Sequence, residues 1–171
     1  MTESPSARSH KIWQLGADID TDVLAPGAYM QHGIDVIAQH CLEAVRPEFT
    51  SAVQRGDVIV AGANFGIGSS REQAAGVLVH LGIAAVIAPS FSGLYFRNAF
   101  NLGLLLITCK DAEQLQADTP LQIEWAGDTP TLVQGTLRLV CEPIPDFLRE
   151  MVAAGGLLNQ LKLKFQKGKG S

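Results

Sequence analysis

The stretch "DVIVAGANFGIGSSREQAAGVLVHLGIAAVIA", residues 57–88, decides how the chain folds. It opens on an unbroken apolar run, passes through a glycine-rich turn, and then carries Ala74, Val77, Leu78 and Leu81 on one helical face. Gly82 sits where a helix of that length would close. "IAAVIA" (83–88) is a second buried-strand pattern. Downstream, "SFSGLYFRNAFNLG" (90–103) reads as another helix ending on glycine, and "LLLI" (104–107) as a third strand. The order β-α-β-α-β implies parallel strands joined by right-handed crossovers. Strands covered on both faces carry apolar runs without alternation, as here.

Upstream, "KIWQLG" (11–16) reads as a short strand and "ADIDTDVLAPGAYM" (17–30) as a loop rich in Asp, Pro and Gly. "GIDVIAQHCLEAV" (33–45) places Ile34, Ile37, Ala38, Cys41 and Leu42 at helical spacing, and "PEFTSAVQRG" (47–56) is a second short helix. The last third changes character. "LQIEWA" (121–126), "TLVQG" (131–135) and "TLRLVCEP" (136–143) alternate over short lengths, the mark of antiparallel strands. "PDFLREMVAAGGLLNQLKLKF" (145–165) is helical with a break at Gly155-Gly156. The expected fold class is α/β, a single domain over residues 1–171 with a mixed sheet. Residues 1–9 and 165–171 are expected to be disordered tails.

At 171 residues the chain can bury about 70% of its unfolded surface around one core. Its 47% apolar and 18% charged residues describe a globular chain rather than a disordered one. A net charge of −4 argues against a nucleic-acid surface. No apolar stretch reaches bilayer length, and the polar opening "MTESPSARSH" lacks the apolar segment of a signal peptide, so a cytoplasmic location is expected. Cys41, Cys109 and Cys141 form no CxxC and have no ligand spacing, so no metal site is expected on this chain. Among the remaining residues, His80 reads as a packing residue and Trp13, Trp125, Tyr95 and Phe96 as core or interface aromatics. Arg97-Asn98 reads as structural hydrogen bonding.

The turn admits three readings. Ser69-x-x-Glu72 and Ser70-x-x-Gln73 both match a helix-capping box, yet one helix has one N-cap. A dinucleotide fingerprint needs glycine where Arg71 stands, and a P-loop needs a lysine that the turn lacks. An anion site fits better. Gly66 and Gly68 let the backbone approach a ligand, N–H groups at a helix start point outward, and Arg71 offers a fork for carboxylate. The turn also follows a parallel strand, on the side where open α/β sheets bind ligands. The residues alone therefore indicate a carboxylate or phosphate site with an activated serine.

"NFGIGSSREQA" (64–74) also resembles the serine–arginine signature of the aconitase superfamily's swivelling domain. "GADIDTDVLAPGAYM" (16–30) and "GIAAVIAPSFSGLYFRNAFNLGLLLI" (82–107) are similar to two further segments of that family, in the same order. The resemblance implies the β/β/α swivelling domain of the aconitase type, here as the stand-alone small subunit of an isopropylmalate-isomerase-type hydro-lyase. It implies a large-subunit partner carrying a [4Fe-4S] cluster as Lewis acid, a dicarboxylate substrate, and no cofactor on this chain. Ser69 would be the base, Ser70 and Arg71 would bind substrate, and Asp22 would lie at the same site. Tyr29, Met30, Gln31 and His32 would belong to the loop that reads the substrate's variable group. Gln31 stands where an arginine is often found, which disfavours a third carboxylate and leaves isopropylmalate, citramalate or dimethylmalate. A non-catalytic carboxylate-binding subunit is the alternative of another class. A homo-oligomer is expected when the chain is isolated.

Overall fold

The computed structural model describes residues 8–169. Strands β1 (Ile12–Gln14), β2 (Val58–Val60), β3 (Ala85–Ala88) and β4 (Leu106–Thr108) form a parallel sheet in that spatial order. Helix α4 (Gln73–His80) joins β2 to β3, and α5 (Gly93–Asn101) joins β3 to β4, giving the expected β-α-β-α-β unit. Every residue of β2 and β3 is buried, which is why neither strand alternates. Crossovers that all advance in one direction put α4 and α5 on the same face of the sheet, where they touch. Two short helices, α1 (Thr21–Leu24) and α2 (Ile34–Ala38), pack against α4. Phe65, Leu78, Ile87 and Phe100 are fully buried in the resulting core. Each such side chain contributes about 1.5–3 kcal/mol.

One buried carboxylate ties the sheet's edge together. Asp57 accepts hydrogen bonds from Trp13 Nε1 and from the Gln54 N–H, both at 2.9 Å. A buried acid is tolerated when its oxygens are satisfied in this way.

The sheet is not mixed. β5 (Gln122–Ala126), β6 (Thr129–Gln134) and β7 (Leu137–Val140) form a separate antiparallel sheet. In β6 alternate residues are buried, and Leu132 and Leu139 turn into the common core. Alternation leaves these strands only one apolar face, so they cover the core rather than extend a sheet buried on both sides. The two sheets meet where the Glu142 N–H donates to Thr108 O at 3.1 Å.

Other segments also differ from expectation. Within the 17–30 loop, Thr21–Leu24 is helical and Gly27–Tyr29 forms a 3-10 turn. The helix expected over 33–45 closes at Ala38, because Leu42 turns its N–H to Val23 O and takes φ +62°. The helix expected near Pro47 is α3 (Phe49–Ala52). Pro145 precedes α6 (Asp146–Ala154), and after the glycine pair α7 (Leu157–Gly168) continues into the stretch read as a tail. Residues 1–7 and 170–171 of the expected tails lie outside the described residues. Trp13 and Tyr95 are buried, whereas His80 is exposed rather than packed. Trp125 is half-exposed beneath the Arg149 guanidinium. Among the described residues no helix is long and apolar enough to cross a membrane.

Candidate functional site

The loops that follow β1, β2 and β3 continue to pair after the strands end. Gly66 N–H donates to Ile19 O at 2.7 Å, and Thr21 N–H donates to Ile67 O at 2.9 Å. On the other side, Ser92 N–H donates to Phe65 O at 2.9 Å and Phe65 N–H to Ser90 O at 3.1 Å. Residues 65–67 are thus held between residues 19–21 and 90–92, beyond the carboxyl ends of the parallel strands. Gly68, Ser69 and Ser70 stand exposed at the tip.

Glycine is required along this path. Gly66 has φ +84°, and a Cβ there would lie 2.2 Å from Cγ of the buried Tyr95 ring. Tyr95 cannot retreat easily, since its hydroxyl donates to Ala74 O at 3.1 Å. Gly66→Ala combines a left-handed backbone with a ring clash, so a loss of about 3 kcal/mol is expected in urea unfolding. A variant as stable as the parent would show that the turn can open without penalty.

The capping reading does not hold. Helix α4 begins at Gln73, its N-cap is Glu72 in the helical region, and no side chain caps it. Both serines are therefore spared that role, and each has another contact. Ser69 Oγ lies 3.3 Å from Thr21 Oγ1, while Ser70 O accepts from Asn98 Nδ2 at 3.4 Å. Asn98, on α5, does act structurally, and its target is the serine turn itself.

Arg71 is fixed from the opposite side of the site. Its Nη1 donates to Asp22 Oδ1 at 3.0 Å and to Ala25 O at 2.9 Å. Asp22 Oδ1 also accepts the Gly27 N–H at 2.9 Å. The Gly27 hydrogen bond, and after it the Arg71 guanidinium, hold the Asp22 carboxyl below its ordinary value, so it is ionised at neutral pH. The arrangement anchors one edge of Arg71, leaving Nη2 and Nε for a ligand. Arg71 points Nη1 toward the 22–25 segment rather than toward Ser69.

The structure thus brings Asp22, Ser69, Ser70 and Arg71 together from two segments about fifty positions apart in the chain. It does not bring the 29–32 segment into contact with the serines. Tyr29 stacks its ring on His40 at 3.6 Å, and His40 Nδ1 contacts Glu43 Oε2 at 2.8 Å. Met30 is half-buried, and Gln31 and His32 are exposed. Their connection to the site runs through Gly27, whose Cα hydrogens face Asp22 and Arg71. Sequence reading gave no role to Thr21, although it sits between the two aspartates of "IDTD". The sequence signal was available only as proximity to Asp22.

The three cysteines do not gather at one point. Burial pushes the Cys41 thiol up, and Cys41 is fully enclosed. The Cys141 thiol donates to Leu139 O at 3.6 Å, and its interaction with Cys109 lowers Cys109 and raises Cys141. Among the described residues no three His, Cys, Asp or Glu side chains gather to hold a metal ion. Among the described residues the three cysteines are buried and do not gather as cluster ligands.

A serine–arginine turn beyond the carboxyl ends of a parallel sheet stands where open α/β domains place their ligand sites. Comparison with known proteins gives that class its family. Residues 25–112, just over half of the chain, match the aconitase C-terminal domain. The chain is 37% identical over 159 residues to the 3-isopropylmalate dehydratase small subunit of Wolinella succinogenes, covering 92% of this chain and 95% of that one. It is 40% identical over 154 residues to the methanogen homoaconitase small subunit of Methanothermobacter thermautotrophicus, covering 87% of each. A crystal structure of 3-isopropylmalate dehydratase from Methanocaldococcus jannaschii superposes with a TM-score of 0.84 at 37% identity, over 95% of this chain and 98% of that one. The chain belongs to the aconitase family and corresponds to its C-terminal domain.

Proposed function

We propose that this chain is the small subunit of a 3-isopropylmalate dehydratase, a hydro-lyase that interconverts 2-isopropylmalate and 3-isopropylmalate by removing and re-adding water. This is a step of leucine biosynthesis, and a cytoplasmic location goes with it. The observation that carries the reading is the state of Ser69: exposed, free of any capping duty, and set in a turn whose Arg71 is anchored by Asp22. Ser69 is the base that takes the proton from the carbon beside a substrate carboxylate. Arg71 receives that carboxylate on the edge that Asp22 leaves available. Ser70 contacts substrate through its hydroxyl or N–H. Asp22 acts by orienting Arg71, since an anion touching substrate directly would repel it.

The cluster that activates the leaving hydroxyl belongs to a large subunit, and the chain is active only with that partner. The exposed apolar side chains of α6 and α7, among them Phe147, Leu158 and Phe165, are consistent with self-association of the isolated chain.

The relative named as a homoaconitase subunit raises a tricarboxylate as a second reading. Gln31 weighs against it, because an exposed amide cannot supply the charge or the fork that a third carboxylate needs. Citramalate and dimethylmalate stay open as smaller alkylmalates. The test is hydration of isopropylmaleate, citraconate, dimethylmaleate and cis-aconitate by the chain co-expressed anaerobically with its large subunit. Preference for isopropylmaleate is expected, by at least about tenfold in kcat/KM, given what one or two methylene groups contribute in a pocket. Turnover of cis-aconitate alone would replace the substrate, and inactivity on all four would leave a carboxylate-binding subunit.

A further inference from the structure

The Ser69 hydroxyl has a buried companion. Thr21 is 3% exposed, and its Oγ1 lies 3.3 Å from Ser69 Oγ, its side-chain partner among the described residues. The approach is built into the backbone on both sides. The Thr21 N–H is held by Ile67 O at 2.9 Å, and Thr21 opens α1, where Asp20 Oδ1 accepts the Val23 N–H at 2.8 Å. Facing it, Gly68 has φ +110°, and a Cβ there would sit 2.9 Å from Thr21 Oγ1. A side chain at residue 68 would push the two hydroxyls apart.

Between two neutral hydroxyls either atom donates. Once Ser69 loses its proton its oxygen can only accept, and Thr21 must then be the donor. Arg71 Nη1 does not take that place, because it is committed to Asp22 and Ala25. We propose that Thr21 is a positioning residue for Ser69: its buried hydroxyl fixes the Ser69 side chain and donates to Ser69 Oγ in the charged form. The consequence for turnover rests on Ser69 being the base, whereas the hydrogen bond that Thr21 donates to residue 69 does not.

The test has two arms. In the isolated chain, Ser69→Cys places an ionisable thiol at the same point. Cys41, Cys109 and Cys141 are buried, so alkylation by iodoacetamide reads residue 69. Adding Thr21→Val is expected to raise the midpoint of the pH–rate curve by about one unit, and Thr21→Ser to restore it, as for loss of one hydrogen bond to a charged group. An unchanged midpoint overturns the proposal. Thr21→Ala serves in place of the valine variant if that one does not fold.

In the complex with the large subunit, with Ser69 intact, Thr21→Val is expected to lower kcat by about tenfold with KM within about twofold. The rising limb of the pH–rate profile should move to higher pH, because an undonated alkoxide forms less readily, and Thr21→Ser should reverse both effects. Wild-type rates in Thr21→Val overturn the proposal. A parent complex inactive on every acid removes the functional reading, while the thiol arm still decides the role of Thr21.

Discussion

Ser69→Ala, assembled with the large subunit, is expected to lose about 10³-fold in kcat while KM and thermal stability stay close to the parent's. The magnitude comes from removing a general base, and the intact stability from the position of the side chain. Ser69 is exposed at the tip of its turn and caps no helix, so alanine leaves no cavity and no unsatisfied helix end, and its cost is confined to the 3.3 Å contact with Thr21 Oγ1, about 1 kcal/mol. Ser70→Ala is the internal control. It keeps the backbone carbonyl that Asn98 holds and removes only a hydroxyl, so a loss of about tenfold or less is expected. Initial rates on both variants, with melting curves beside them, decide the matter. Retention of more than a tenth of the parent rate in Ser69→Ala would sink Ser69 as base. A larger loss in Ser70→Ala than in Ser69→Ala would exchange the two roles.

Arg71→Lys is expected to lower kcat/KM by about 10²-fold, chiefly through KM, although it preserves charge. Lysine carries one donor point in place of a planar fork. In the parent, Nη1 is spent on Asp22 and Ala25, which leaves Nη2 and Nε as the remaining donors of the fork. An ammonium can satisfy the first set or the ligand, not both in the same geometry. Little stability should be lost, because Asp22 is 69% exposed and such pairs contribute about 0–1 kcal/mol. Asp22→Asn should give a smaller loss in the same direction, since Arg71 keeps Ala25 O. The double variant should lose less than the product of the single effects, because both remove one arrangement. Full additivity, measured by a double-mutant cycle on kcat/KM, would mean that Asp22 acts on substrate independently of Arg71.

Much of the parallel half of the fold was legible in the order of residues. Val58–Val60 and Ala85–Ala88 are uniformly apolar because both of their faces are covered, and the helix between them carries its buried residues Ala74, Ala75, Val77 and Leu78 on one side. The segments that misled are those whose hydrogen bonds leave the segment. The apolar spacing from Ile34 to Leu42 promised one helix, but Leu42 bonds to Val23, and nothing local announces that. The alternating strands of the last third were recognisable as antiparallel. Whether they would join the first sheet or close over it depended on what their buried face meets.

The site divides in the same way. The types of residue in the 64–74 turn, and their likeness to one family, pointed to a serine–arginine site before any fold was known. The sequence left both serines eligible as helix caps, and only the start of α4 at Gln73 removed that use. It placed Asp22 at the site without naming its partners, and the fold supplies them as Arg71 and the Gly27 N–H. It passed over Thr21 entirely. Composition and periodicity report which faces avoid water, and that is a local property of the chain. The pairing of residues 19–21 with residues 66–67 is not local, so the geometry around Ser69 exists only once the loops beyond β1, β2 and β3 have closed on one another.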